Sequence, residues 1–369
     1  MTSINIQRDV VLLPLQAVSG VVERRHTLPI LSNVLVELRD GVLALTATDL
    51  EIQVCCRAQT DIGVTREATT VSARKLQDIL RALPDGSQLS VDLHDKRMQL
   101  KAGKSKFALQ TLPAQDFPKL AVADGGDGRR LEVPQKALKR LFGLVHYAMA
   151  QQDIRYYLNG LLLSLSGNEL TLVATDGHRL AWASMPIDSE QEKIEVILPR
   201  KAALEVWKLL SDTDASVRID IRDNQVAFTI GSVEVISKVV DGKFPDFQKV
   251  IPTGYKRHFL LDRHTLQQAL QRAAILSNEK FRGVRWLVND TSLRIVSSNT
   301  EQEEAEEELE IEFSGGPIDI GFNVGYLLDV LSNVSAERID CWLGDSNSSM
   351  LLTVPDDPAF KYVVMPMRI

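Results

Sequence analysis

The sequence predicts an α+β fold made of three tandem copies of one domain, each copy two β-α-β-β-β units. Three observations predict it. The order strand, helix, three strands recurs along the chain. Thr48-Asp49 returns as Thr175-Asp176 and, in altered form, as Ser298-Asn299. Phe117-Pro118 returns as Phe244-Pro245 and again as Met365-Pro366. Both markers repeat at about 125 residues, the size of a whole domain rather than of a solenoid unit.

In the first copy, residues 2–6 alternate like a short strand, and Val11, Leu12, Leu15 and Val18 give Arg8–Ser19 helical spacing that stops near Gly20. Val34–Leu38, Val42–Thr46 and Ile52–Ala58 read as strands, with Asp40-Gly41 as a hairpin turn and Thr48-Asp49 at the next corner. The order restarts with a strand at Thr69–Val71, a helix over Arg74–Leu83, a stop at Pro84-Asp85-Gly86, and strands Gln88–Leu93, Arg97–Lys101 and Ser105–Leu109. Asp124-Gly125-Gly126-Asp127-Gly128 reads as a linker.

The second copy has a helix over Gln135–Met149, strands Leu161–Leu165 and Leu170–Ala174, then a helix over Arg200–Leu210. Strands near Val217–Ile221, Val226–Ile230 and Val233–Val239 follow. The third has helix Arg263–Leu276, strands Val284–Val288 and Leu293–Ser298, helix Val324–Val334 and the final strands. The domain boundaries expected are 1–126, 127–256 and 257–369.

With 25% charged and 44% apolar residues in 369, each copy can bury its own core. No apolar run approaches the roughly 18 residues of a membrane span, and no secretion signal is read at the N-terminus. Cys55, Cys56 and Cys341 form neither a disulfide framework nor a zinc-like set, so a reducing cytoplasm is expected. The net charge of −7 argues mildly against a nucleic-acid partner, but it does not say where the charges sit.

Asp176-Gly177-His178 admits two readings. As an acid–base pair it would need a nucleophile and an oxyanion site, and no glycine-framed serine supplies them. The corresponding Thr48-Asp49-Leu50-Glu51 has no histidine, which favours a structural turn that can also wall a binding site. Gly103-Lys104-Ser105 imitates the end of a phosphate-binding loop, yet Met98 stands where that motif needs glycine and the segment joins two strands.

Glu303-Glu304-Ala305-Glu306-Glu307-Glu308 is a solvated face or an acidic interface patch, opposite in sign to Lys101, Lys104 and Lys106. Bases recur on or beside equivalent helices, at Arg8, Arg24 and Arg25, at Arg74, Lys75 and Arg81, at Lys136, Lys139 and Arg140, at Arg200, Lys201 and Lys208, and at Arg257, Arg263 and Arg272. Such a wall suits phosphate contact without base reading. The helix Val324–Val334 breaks the pattern with Asp329 and no base. The apolar end, Tyr362 to Ile369, reads either as an edge strand or as part of an adaptable pocket built on Met365 and Met367.

These residues resemble the bacterial DNA polymerase III β subunit family, the replication sliding clamps, over essentially the whole chain. The blocks that carry it are Thr27-Leu28-Pro29-Ile30-Leu31, Gln152 to Gly160, Ala174-Thr175-Asp176-Gly177-His178-Arg179-Leu180, Ala274 to Arg285, and Tyr362–Arg368. The resemblance implies three DNA-clamp domains forming half of a ring, closed as a head-to-tail homodimer around duplex DNA, with no catalytic residues, cofactor, metal or membrane.

It implies a partner cleft at Leu158, Thr175, Gly177, His178, Arg179, Leu180, Pro245, Val250, Ser349, Val363, Val364, Met365, Pro366, Met367 and Arg368. That cleft would take Gln-Leu-x-Leu-Phe-like peptides from the replicative polymerase subunit, the clamp loader, other polymerases and repair proteins. DNA contacts are implied at Arg25, Arg74, Arg81, Gln152, Tyr156, Tyr157 and Lys201. A dimer contact is implied between Lys104, Lys106, Phe107 and Leu109 of one chain and Ile275, Leu276, Glu301, Glu303, Glu304, Glu306 and Glu307 of the other. The chain departs from relatives at Lys249, Asn347 and Ile369, which bears on peptide affinity. The competing readings are a hydrolase using Asp176 and His178, and a simple DNA-binding protein.

Overall fold

The computed structural model describes residues 3–23, 28–63, 66–94, 96–120 and 128–369. The first copy runs β1 (Ser3–Gln7), α1 (Arg8–Val18), β2 (Asn33–Arg39), β3 (Val42–Thr48), β4 (Ile52–Gln59), β5 (Arg66–Ser72), α2 (Ala73–Ala82), β6 (Gln88–His94), β7 (Arg97–Ala102) and β8 (Ser105–Leu112). The second runs β9 (Arg129–Pro134), α3 (Gln135–Val145), β10 (Gly160–Thr175), β11 (Arg179–Pro199), α4 (Arg200–Leu209), β12 (Ser216–Ile221), β13 (Gln225–Ile230) and β14 (Val233–Lys238). The third runs β15 (Arg257–Asp262), α5 (Arg263–Ile275), β16 (Gly283–Val288), β17 (Ser292–Ser298), β18 (Glu304–Glu310), β19 (Ile318–Asn323), α6 (Val324–Asn333), β20 (Arg338–Leu343), β21 (Met350–Val354) and β22 (Asp357–Val364).

By contact the chain divides into two compact units, Met1–Leu138 with Lys201–Val239, and Lys139–Arg200 with Val240–Ile369. The middle copy is therefore shared between them. In the first unit twelve strands are hydrogen-bonded in the order β1-β6-β7-β8-β5-β2-β3-β4-β14-β13-β12-β9. The step from the first copy to the second is the antiparallel pair β4–β14, from Ser237 opposite Ile52 to Val233 opposite Cys56. Helices α1 and α2 bury Leu12, Leu15 and Val18 with Leu76 and Leu80, and keep Arg74, Lys75 and Arg81 exposed. Each fully buried aliphatic side chain of this kind stabilises by about 1.5–3 kcal/mol. Only Leu112 and Thr111 of β8 pair with β5, so Ser105–Gln110 has an open edge away from β7.

The second unit holds a six-stranded sheet, β10-β11-β22-β21-β20-β15, and a four-stranded one, β18-β17-β16-β19. Its step from the second copy to the third is the antiparallel pair β11–β22, from Arg179 opposite Val364 to Ala183 opposite Phe360. Asp262 caps α5 by accepting from Thr265 N at 2.7 Å, and Asn323 caps α6 by accepting from Gly325 N at 2.8 Å.

Several expectations are corrected. Helix α3 stops at Val145 and tightens into a 3-10 turn over His146–Ala148, short of Met149. The separate strands at 161–165 and 170–174 are one strand, β10, with an irregularity around Gly167, whose φ is +57°. The repeated unit calls for a strand ahead of α3 and of α5, and β9 and β15 stand there, whereas β11 is not expected, because Pro186 and Asp188 break its alternation. The C-terminal strand is not an edge: β22 lies between β11 and β21.

The Asp40-Gly41 turn stands as expected, with φ of 49° and 80°, the signature of a tight hairpin. Gly103-Lys104 likewise joins β7 to β8, with Ala102 opposite Ser105. The cysteines are free and buried. No helix among the described residues is long and apolar enough to cross a membrane.

Candidate binding cleft

The corner between β10 and β11 is built by two side chains. Thr175 Oγ1 donates to Arg179 O at 2.6 Å and accepts from Gly177 N at 3.1 Å. Asp176 Oδ1 accepts from His178 N at 2.9 Å and from Arg179 N at 3.1 Å. The first copy repeats every one of these bonds. Thr48 Oγ1 donates to Ile52 O at 2.8 Å and accepts from Leu50 N, while Asp49 Oδ1 accepts from Glu51 N and Ile52 N, both at 2.9 Å. The third copy is one residue longer, with Asn299 Oδ1 accepting from Glu301 N and Glu303 N at 3.0 Å. The repeat in the sequence is thus a repeat of hydrogen-bonding geometry. It also removes the hydrolase reading, since Asp176 holds the backbone N–H of His178 rather than its imidazole.

What distinguishes the middle corner is the side chains it carries. Gly177 has φ +90°, and a Cβ there would meet Arg155 Nη2 at 2.8 Å. The glycine lets the guanidinium lie against the backbone, where Arg155 Nη2 donates to Asp176 O at 3.2 Å. Arg155 is in turn forked onto Asp153 at 3.0 and 2.8 Å, and these bonds hold the Asp153 carboxyl down to about 2. Asn159 closes the same loop, donating to Asp153 O at 2.8 Å.

Arg179 is 9% exposed in its side chain and donates from Nε to Asp176 at 3.0 Å, from Nη1 to Asp329 at 2.5 Å and from Nη2 to Tyr147 O at 2.6 Å. Its guanidinium carbon lies 4.4 Å from the Tyr326 ring centre. Burial alone would favour losing the proton. Tyr362, Asp329 and Asp176 outweigh that and raise its proton affinity above the ordinary arginine value.

Beside this corner lies a cleft of about 150 Å³, lined by Arg155, Tyr157, Leu158, Thr175, Gly177, Arg179, Leu180, Pro245, Phe247, Val250, Val363 and Met365. Its floor continues into a core of Leu162, Val173, Leu180, Ile197, Phe244 and Val363. An apolar bowl with a few fixed polar groups at its rim has the general form of a site that takes apolar side chains.

Nine of the fifteen expected cleft residues meet here: Leu158, Thr175, Gly177, Arg179, Leu180, Pro245, Val250, Val363 and Met365. Six do not line it. Exposed His178 contributes its carbonyl to Met365 N, Ser349 O accepts from Tyr255 Oη, and buried Val364 is paired to Arg179. Met367 turns away to bond Gly321, and Pro366 and Arg368 go with it. Arg155, Tyr157 and Phe247 line the cleft beyond the residues expected there. Phe247 follows the Phe244-Pro245 marker by two residues, a signal present in the sequence, while Tyr157 is among the residues expected at DNA.

Of the expected DNA contacts, Arg25 lies outside the described residues. Arg74 and Arg81 line one cleft of about 480 Å³ with Ser19, Glu23, Ser72 and Asp78. Lys201 is committed internally, donating to Asp49 at 2.5 Å and to Val21 O at 3.0 Å. Gln152 has φ +57° and is exposed, as is Tyr156, whose ring lies 3.6 Å from where a Gly242 Cβ would stand.

Of the expected dimer contacts, Lys104 is exposed in the turn before β8 and Lys106 is exposed on it, while Phe107 is half-buried and Leu109 is buried. Glu304, Glu306 and Glu307 lie on β18, an edge strand, preceded by exposed Glu301 and Glu303. Glu306 already meets Arg294, and Glu307 meets Arg272. Ile275 is exposed at the end of α5, next to half-buried Leu276.

Comparison with known proteins gives three family matches: the DNA polymerase III beta subunit N-terminal domain over residues 2–121, the central domain over 132–246 and the C-terminal domain over 248–368. The chain is 46% identical over 365 residues to the beta sliding clamp of Pseudomonas aeruginosa, covering 99% of each. It is 45% identical over 364 residues to that of Escherichia coli K12, again covering 99% of each. Among solved structures it is similar to the DNA polymerase III subunit beta from P. aeruginosa, with TM-score 0.94, 46% identity and 100% of both chains covered. A structure of the P. aeruginosa sliding clamp bound to griselimycin matches with TM-score 0.94 and 46% identity, covering 100% of this chain and 99% of that one.

Proposed function

This chain belongs to the DNA polymerase III beta subunit family, and on that premise we propose that two copies close head to tail into a ring around duplex DNA. The chain is a DNA sliding clamp, a non-catalytic processivity factor of DNA polymerase III. The observation that carries the ring is the repeated junction. In each unit the last strand of one copy's first half pairs antiparallel with the last strand of the next copy's second half, β4 with β14 and β11 with β22. The third such pair would be β18 with β8. Both have open edges, and a second chain supplies the partner. Acidic β18 and basic β8 are complementary in sign, which sets orientation and rejects pairing of like with like.

The proposed division is into domains 1–126, 127–256 and 257–369. The proposed DNA contacts are Arg25, Arg74, Arg81, Gln152, Tyr156 and, with its charge already partnered, Lys201. Phosphate contacts of this kind hold the duplex weakly and without sequence preference. The cleft at Leu158, Leu180, Pro245, Phe247, Val250, Val363 and Met365 is proposed to take Gln-Leu-x-Leu-Phe-like peptides of polymerases, the clamp loader and repair proteins, in the cytoplasm. Its apolar lining suits two or three anchoring side chains.

Calorimetric titration with an acetylated Gln-Leu-Ser-Leu-Phe peptide tests the cleft. One peptide per chain is expected, with binding lost on deletion of residues 365–369. A deleted chain that binds normally contradicts the assignment.

A further inference from the structure

The C-terminal segment leaves β22 at Val364 and does not end at the cleft. Met365 N donates to His178 O at 2.9 Å, and Met365 lines the cleft. Two residues later Met367 N donates to Gly321 O at 2.8 Å, and the two residues form an antiparallel bridge. Gly321 lies on β19, an edge of the four-stranded sheet, so the tail is laid on that edge as one extra bridge.

The need for glycine here is one of space. A Cβ on Gly321 would stand 2.5 Å from Met367 O and 2.7 Å from Ile369 Cδ1. Gly283 is its diagonal neighbour on the same face, since Arg285 pairs with Gly321 and Gly283 with Asn323. A Cβ on Gly283 would meet Ile369 Cδ1 at 3.1 Å. Ile369 itself is 65% exposed, so the bridge, rather than burial of the last side chain, holds the tail.

We infer that Gly321 is a positioning residue for partner binding, because it lets the tail lie flat on β19 and so fixes Met365 from both sides. The inference rests on the proposed reading of the cleft as the partner site. Methionine is flexible, and a cleft wall made of it is ordered only if the backbone on each side is held. Ordering that wall before the peptide arrives lowers the cost of binding and slows release. Gly283 helps by leaving room for the Ile369 side chain.

The test compares Gly321→Ala and Gly283→Ala with the unaltered full chain. It measures dissociation of a fluorescent Gln-Leu-Ser-Leu-Phe peptide, release of Ile369 by carboxypeptidase, and the thermal midpoint. For Gly321→Ala we expect roughly tenfold faster peptide release and a comparable acceleration of Ile369 removal. The midpoint should stay within about 2 °C, since a single half-buried bridge at a sheet edge contributes little to global stability. Gly283→Ala should have a smaller effect, reversed by adding Ile369→Ala, which removes both side-chain carbons that the new Cβ would press on, Cδ1 at 3.1 Å and Cγ1 at 3.2 Å. Unchanged Ile369 release in both variants overturns the inference, as does an unchanged peptide rate beside a freed tail. Failure of the unaltered chain to bind peptide instead overturns the reading of the cleft, and the carboxypeptidase arm still reports whether Gly321 docks the tail.

Discussion

Arg179 Nη1 donates to Asp329 Oδ2 at 2.5 Å, joining the β10–β11 corner to helix α6 across 150 residues of chain. The acid on α6 that breaks the run of basic helices is thus the counter-ion of a buried arginine. Removing it leaves Arg179 with Asp176 as its remaining carboxylate. Asp329 is 47% exposed, which discounts the loss. Asp329→Ala should cost about 1–2 kcal/mol and Arg179→Ala about 3 kcal/mol, read from urea midpoints. Equal midpoints for Arg179→Ala and the unaltered chain would show that the cluster does not hold the corner.

Gly177 and Leu50 occupy the same place in two copies, with φ of +90° and +79°. Gly177→Ala adds strain and drives a methyl onto Arg155, so it should destabilise by about 1–3 kcal/mol and weaken peptide binding. Leu50→Gly relieves strain but frees the unfolded chain, so its effect should stay within about 0.5 kcal/mol. Thermal melts of the two variants check the asymmetry. A larger loss for Leu50→Gly than for Gly177→Ala contradicts it.

The Asp153–Arg155 fork gives a pH dependence with a defined sign. Asp153 is held at about 2, below its ordinary 3.8. A depressed carboxyl contributes its stabilisation above the ordinary value and loses it as pH falls through the folded one. The loop should keep its fork at pH 5 and open between about pH 4 and 2. Carbon-13 titration of the Asp153 carboxyl reads this directly, and a midpoint near 4 would mean that the fork does not persist in solution.

Reversal of charge on β18 should separate the chains. Glu306 and Glu307 already meet Arg294 and Arg272, so Glu304→Lys should raise the dimer dissociation constant more than Glu306→Lys does. Sedimentation of Glu303→Lys/Glu304→Lys/Glu306→Lys at low concentration should give monomers. An unchanged dimer in that triple variant removes β18 from the interface.

The repeat was legible because its corner is made of local bonds: Thr175 and Asp176 bond residues two to four positions away, and that pattern recurs in the letters. The family resemblance carried most of the cleft. Hidden from the letters were long-range partners. Lys201 looked like a free phosphate ligand, yet it meets Asp49, 152 residues earlier. Met367 looked like a pocket wall, yet Gly321 draws it to another sheet. Strand β11 is hidden because its middle carries Pro186, Asp188, Glu190 and Glu192, and pairing with β10 rather than alternation holds it in the sheet.

Encirclement is tested most directly by retention on DNA of two topologies. The chain is loaded onto a nicked circular plasmid with a bacterial clamp loader and ATP, then filtered by size before and after the plasmid is cut once. A ring held by topology should stay with the circle and be lost on linearisation, whereas equal retention on both forms would contradict it.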